Sequence, residues 1–250
     1  MFELTGKVAL ITGGSRGLGL QIAKGLAEMG AKIAISARKT AELEQAKGEL
    51  EALGAEVLTI ANDLSKEGQA AVAVDAAAAH FGKIDILVNN AGATWGAPAE
   101  EHPIEAWNKV MNLNATSVFA LCQAAANRCF IPQGSGSIII IASTAALRAS
   151  MQMQSVAYYS SKAAALHLTR ALAVEWGKYN VRVNAICPGF FPSKMTDVLL
   201  KTIEDDVIAR TPLGRLGDDS DLKGAAIYLA SEASKHVTGQ YIAVDGGASI

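Results

Sequence analysis

The sequence predicts an α/β fold built on a doubly wound parallel sheet of about seven strands flanked by helices. Short apolar runs alternate with longer amphipathic segments along the whole chain. Several of those runs are apolar at nearly every position, as strands covered by helices on both faces must be. Neither a Pro/Ser-rich linker nor an internal repeat interrupts the alternation, so residues 1–250 read as one domain.

The elements follow in order. Strands are expected at 8–11, 32–35, 57–60, 86–88, 138–141, 181–186 and 242–244, where β-branched and apolar residues cluster. The segments 18–29, 41–53, 67–81 and 157–178 carry helical periodicity. Residues 190–217 hold Pro192, Pro212 and Lys194 around a short helix, and their late position suits a substrate lid.

Bulk properties narrow the function. A chain of 250 residues can bury roughly 70–75% of its unfolded surface, enough for a core without staples. A net charge of −2 supplies no basic field for nucleic acid or an anionic membrane. Cys122, Cys129 and Cys187 are odd in number and lack C-x-x-C spacing, which suits a reducing cytoplasm. His80, His102, His167 and His236 show no ligand spacing, so no metal is expected. With no apolar run near the ~20 residues of a membrane span, a soluble protein is expected.

Immediately after the first strand comes Thr12-Gly13-Gly14-Ser15-Arg16-Gly17-Leu18-Gly19, which opens a helix. Its spacing is G-x-x-x-G-x-G. Glycine lets the backbone approach a pyrophosphate, while free N–H groups and the helix dipole favour the anion. Plain glycine turns also join strands to helices; placement at the first βα junction favours phosphate. The second strand ends in Ser36-Ala37-Arg38-Lys39, with no acid to bind a ribose 2′-hydroxyl and repel a 2′-phosphate. Arg38, with Arg16 as a second cation, suits that phosphate through its multi-donor fork. NADP(H) is therefore preferred, with NAD(H) possible.

Tyr158 and Lys162 lie four apart in an expected helix and share a face. A tyrosine titrating near 10 is a poor base at neutral pH, and a nearby ammonium is expected to lower that value. Tyr159, at i,i+3 from Lys162, is the local competitor and is expected to pack. Ser143 follows the fifth strand at the carboxyl end, where doubly wound sheets place their sites. Its hydroxyl can stabilise a substrate oxygen as charge develops, although a turn-capping serine or Thr144 as donor are alternatives.

With these motifs joined in order by Asn89-Asn90-Ala91-Gly92 and Pro188-Gly189, the chain resembles the short-chain dehydrogenase/reductases, whose fold is the Rossmann type. The resemblance extends to Asp245-Gly246-Gly247. It implies a nicotinamide-dependent oxidoreductase interconverting a ketone and a secondary alcohol, with Tyr158 as acid/base. Gly13, Ser15, Arg16, Gly17, Leu18 and Gly19 are then the phosphate loop, and Asp63 and Leu64 contact the adenine. Asn90, Ala91 and Gly92 line the cofactor; Pro188, Gly189 and Ser193 hold its carboxamide end. Asn114 is implied to hold a water on a proton path to Lys162, which also bonds the nicotinamide ribose; Asn112 is its neighbour. Asn184 looks structural. Kinship also implies a homotetramer built through helices near 112–130 and 157–179.

Two departures matter. The Ser143-to-Tyr158 interval is longer than is usual in the family, which implies an extended loop at 146–155 over the pocket. Trp95 stands where substrate approaches, as a pocket wall or a packed surface residue, with Ala145 and Phe190 as further pocket candidates. The stretch Cys187-Pro188-Gly189-Phe190-Phe191-Pro192 resembles the gluconate 5-dehydrogenase-like branch. Lys194 at the lid is placed to attract a carboxylate. A 3-oxoacyl-[acyl-carrier-protein] reductase is the alternative, but Lys178 and Arg182 are nearly all the basic docking surface on offer. A cofactor-binding protein without turnover is a distant third, because Ser143, Tyr158 and Lys162 are all present.

Overall fold

A computed structural model describes residues 1–150, 153–194 and 196–250, leaving out the side chains of Val198 and Leu199. Met151 and Gln152 of the expected 146–155 loop, and Met195 of the lid, lie outside the described residues. The strands are β1 (Val8–Thr12), β2 (Lys32–Ala37), β3 (Val57–Ala61), β4 (Ile86–Asn89), β5 (Gly136–Ile141), β6 (Val181–Pro188) and β7 (Tyr241–Val244). They form one sheet in the order β3-β2-β1-β4-β5-β6-β7, every pairing parallel. The strand order reverses between β1 and β4, so their carboxyl ends open the crevice in which such sheets bind ligands.

The helices are α1 (Gly17–Glu28), α2 (Thr40–Glu51), α3 (Gln69–Phe81), α4 (Ile104–Met111), α5 (Ser117–Ala125), α6 (Ile131–Gln133), α7 (Val156–Trp176), α8 (Asp197–Arg210) and α9 (Asp221–Ala230). π-turns at Asn112–Thr116 and Ala126–Phe130 join α4, α5 and α6 into one helical run. In the segment expected to form a lid, α8 has 14 residues, longer than the short helix expected between the prolines.

Strand alternation divides the core in two. Leu10, Ala34, Leu87, Ile138 and Ile140 meet α3, α5 and α7 on one face. Ile11, Ile35, Val88, Ile139 and Ile141 meet α1, α2 and α9 on the other. Both sides of the central strands are dry, which is why their sequences show no polar alternation.

Two of the cations considered for a docking surface lie elsewhere. Lys178 and Arg182 stand at the start of β6, the end of the sheet opposite the crevice. Arg182 turns inward and donates to Ser234 Oγ, Leu229 O and Ser231 O at 2.8, 2.8 and 3.4 Å. It ties down the end of α9 instead of facing a partner. Asn184 is structural as expected: its side chain donates to Val237 O and accepts from Gln240 N.

Candidate active site

The glycine loop is held from below by the β4 loop. Thr12 Oγ1, at the end of β1, accepts from Asn90 N and Ala91 N at 3.1 and 3.2 Å. Asn90 Nδ2 donates to Thr12 O and Gly13 O at 3.0 and 3.1 Å. Gly13 and Gly17 adopt positive φ, +65° and +53°, which only glycine takes without strain. A Cβ on Gly19 would stand 2.3 Å from Gly13 O, so the helix enters the loop too closely for any side chain. No side chain caps α1, and no acid stands in its first turn. The loop thus offers unspent backbone donors and a positive dipole end, a donor set that fits a dinucleotide pyrophosphate.

The reacting groups converge at the carboxyl end of β5. Ser143 caps a 3₁₀ turn, its Oγ accepting from Ala145 N at 3.1 Å. That leaves the hydroxyl hydrogen for the phenol of Tyr158, with which Ser143 is hydrogen-bonded. The cap and the bond to Tyr158 are therefore made by one side chain. Tyr159 points away and serves structure: its hydroxyl accepts from Ser150 N at 3.0 Å and donates to Ser150 O at 3.3 Å.

Lys162 is buried, and its Nζ donates to Ile141 O, the last residue of β5, at 2.7 Å. Nζ stands 5.7 Å from the centroid of the Tyr158 ring. One expectation fails here. Burial raises the Tyr158 phenol above its ordinary value, outweighing the Ser143 bond that lowers it. Desolvation acts on both partners, for burial also draws the Lys162 ammonium down to about 8. The pair is accordingly a neutral phenol beside a weakened ammonium.

Asn114 sits in the π-turn between α4 and α5, and its carboxamide makes three bonds. Its Oδ1 accepts from Ala93 N at 2.8 Å, while Nδ2 donates to Ala93 O at 2.8 Å and Ser161 Oγ at 3.0 Å. Ser161 in turn donates to Tyr158 O at 2.9 Å. A Cβ on Gly92 would meet Asn114 Oδ1 at 3.2 Å and Lys162 Nζ at 3.7 Å. Asn90, Ala91, Gly92, Asn114 and Lys162 are thus brought together around the β4 loop. Asn112 instead donates to Ser65 O.

The remaining expected residues fall around this centre. Asp63 accepts from Ser65 N and Oγ, bonds that hold its carboxyl below the usual range, and Leu64 is buried. Pro188 ends β6. A Cβ on Gly189 would stand 2.8 Å from that of Asp245, so the chain terminus packs beneath it. Ser193 lies against the glycine loop, its Cβ 3.9 Å from where a Gly17 Cβ would be. Ala145 and Phe190 are half-buried, whereas Trp95 is 44% exposed.

The sequence reading missed a carboxylate. Glu42, in the first turn of α2, accepts from Arg16 at 3.0 Å, Lys39 at 3.2 Å and Lys194 at 3.4 Å. Its i,i+3 spacing from Lys39 was the only signal; the other two partners come from distant segments. Lys194 does attract a carboxylate, but one from its own chain. Arg38 is exposed at the end of β2, close enough to Asp63 to favour its ionised form.

Comparisons with known proteins agree with this arrangement. A family model described as enoyl-(acyl carrier protein) reductase matches residues 13–249. The 2-dehydro-3-deoxy-D-gluconate 5-dehydrogenase of Dickeya dadantii is 44% identical over 254 residues, covering 98% of this chain and 96% of the relative. The rhamnolipids biosynthesis 3-oxoacyl-[acyl-carrier-protein] reductase of Pseudomonas aeruginosa is 41% identical over 252 residues, covering 98% and 97%. A crystal structure of a gluconate 5-dehydrogenase from Burkholderia cenocepacia, in complex with NADP and tartrate, superposes with a TM-score of 0.93. It is 37% identical, and the match covers 99% of this chain and 97% of that one. By motif order, sheet topology and similarity along its length, the chain belongs to the short-chain dehydrogenase/reductases.

Proposed function

We propose that the protein is an NADP(H)-dependent oxidoreductase that interconverts a ketone and a secondary alcohol on a small keto-acid or sugar acid. The observation that carries this reading is the line of half-buried Ser143 and Tyr158, bonded to each other, and buried Lys162 at the carboxyl end of β5. When bound, the cofactor supplies or accepts the hydride. On substrate binding the Ser143 Oγ–H turns from the Tyr158 phenol to the substrate oxygen, and the phenol delivers its proton to that oxygen as negative charge develops. Lys162 keeps two N–H donors beyond its bond to Ile141 O, for the nicotinamide ribose and for proton return. Asn114 positions the β4 loop through Ala93 and holds a water on the path to Lys162 from the acceptor positions that its carboxamide bonds leave open.

Gly13, Ser15, Arg16, Gly17, Leu18 and Gly19 hold the pyrophosphate, with Arg16 and Arg38 for the 2′-phosphate. Asp63 and Leu64 hold the adenine; Asn90, Ala91 and Gly92 line the cofactor; Pro188, Gly189 and Ser193 hold its carboxamide. The chain works as one domain, 1–250, with 190–217 as the lid and Trp95, Ala145 and Phe190 around the substrate. Similarity to two sugar-acid dehydrogenases supports the substrate class, as does the inward turn of Arg182. Reduction of 3-oxoacyl groups on a carrier protein is the second reading, favoured by the relative of that activity.

A homotetramer in the cytoplasm completes the proposal. Phe119 on α5 and Val174 on α7 are 42% and 84% exposed, which suits burial between copies. Three free, buried cysteines suit a reducing compartment. The test of chemistry is Tyr158→Phe. The variant should bind NADPH as the parent does and lose about 10²- to 10⁴-fold in ketone reduction. Full activity in that variant refutes the assignment.

A further inference from the structure

One oxygen of one carboxylate gathers three cations from three separate segments. Glu42 Oε1 lies 3.0 Å from Arg16 of the glycine loop, 3.2 Å from Lys39 after β2 and 3.4 Å from Lys194 of the lid. Among the described residues no other acid pairs with these three. Three positive charges against one negative leave two without a counter-charge, on a surface where Arg38 adds another nearby. Like charges this close repel unless an anion stands among them. The cations hold the Glu42 carboxyl below its usual range, so the anion is present at neutral pH.

The surplus matches a phosphate monoester, which carries about −1.5 to −2 charge and three acceptor oxygens. Arg16 is one of the two cations to which the reading above assigns an NADP(H) 2′-phosphate, and Lys39 follows the other, Arg38, at the end of β2. A carboxylate in that place competes with the phosphate for the same donors and repels it. NAD(H), which has only a hydroxyl there, meets no such competition. Lys194 adds a mechanical consequence, since its pairing with α2 straps the lid across the glycine loop, with Ser193 already over Gly17.

We propose that Glu42 is a specificity-determining residue, an internal counter-anion that holds Arg16, Lys39 and Lys194 together and yields them to the cofactor's 2′-phosphate. It limits the affinity for NADP(H) while leaving NAD(H) untouched, and it releases the lid through Lys194 when the phosphate arrives. The inference rests on the NADP(H) reading. Glu42 is partly exposed in a first helical turn, so Glu42→Gln keeps shape and removes only charge.

The test is a fluorescence titration of NADPH and NADH onto the full-length protein and the E42Q variant, with competition by adenosine 2′,5′-bisphosphate and by 5′-AMP. E42Q should tighten NADPH and the bisphosphate by about 3- to 10-fold, the scale of one partly exposed charge. NADH and 5′-AMP should hold constant. Weaker NADPH binding in E42Q, an equal shift for NADH, or no shift at all overturns the role of Glu42. Failure of the underlying reading looks different: NADH would then bind at least as tightly as NADPH in both the parent and E42Q. A thermal midpoint for E42Q near the parent's excludes misfolding as the cause of any change.

Discussion

Tyr158 and Lys162 show how burial sets chemistry at the level of single side chains. With its phenol raised by desolvation, Tyr158 stays protonated through neutral pH and is ready to donate. Ketone reduction should therefore be flat across that range, while alcohol oxidation, which needs the phenolate, should climb steadily into the alkaline range. A pH profile measured in both directions checks this; an oxidation rate already level at pH 7 contradicts it. Lys162 makes a stability prediction. Its folded value is about 8 against an ordinary 10.5, so the unfolded chain binds more protons between the two. Stability from this group then rises with pH across that window, and below it the buried charge is a cost. Lys162→Met removes that cost, offset in part by the unsatisfied Ile141 carbonyl. The variant should melt a few degrees higher at pH 7 and lose activity; a lower midpoint counts against it.

The elements explain which parts of the site could be read in advance. Strand ends lie within two residues of expectation because buried parallel strands announce themselves as apolar runs. The glycine loop, Ser143, Tyr158 and Lys162 were legible because each is fixed by spacing within one element or one junction. Helices α4 and α9 were left unmarked, although Pro103 before one and Ser220-Asp221 at the other are start signals. Glu42 and the Ile141 bond of Lys162 were invisible, since their partners meet only through the fold. The close passage of α1 past Gly13 yields a prediction at this scale. Gly19→Ala must push Gly13 O and Asn90 Nδ2 from a Cβ otherwise 2.3 and 2.5 Å away. Cofactor binding should fall by at least about tenfold, in keeping with the sensitivity of close-packed sites. An unchanged dissociation constant speaks against the loop as phosphate cradle.

At the scale of the whole molecule, the candidate site groups gather on one rim of the sheet. The carboxyl ends of β1, β4, β5 and β6 carry Thr12, Asn90, Ser143 and Gly189, while the opposite end holds the satisfied Arg182. Assembly belongs to this scale too. Exposed Phe119 and Val174 predict four chain masses by light scattering at working concentration, and a monomer refutes the tetramer. The central claim is cofactor and substrate together: hydride exchange between NADP(H) and a small carbonyl. Initial rates of NADPH and NADH oxidation, across keto-sugar acids, simple ketones and 3-oxoacyl thioesters, test it most directly. The account predicts that NADPH is consumed faster and that keto-acids are reduced. Faster consumption of NADH, or turnover confined to the thioesters, contradicts it.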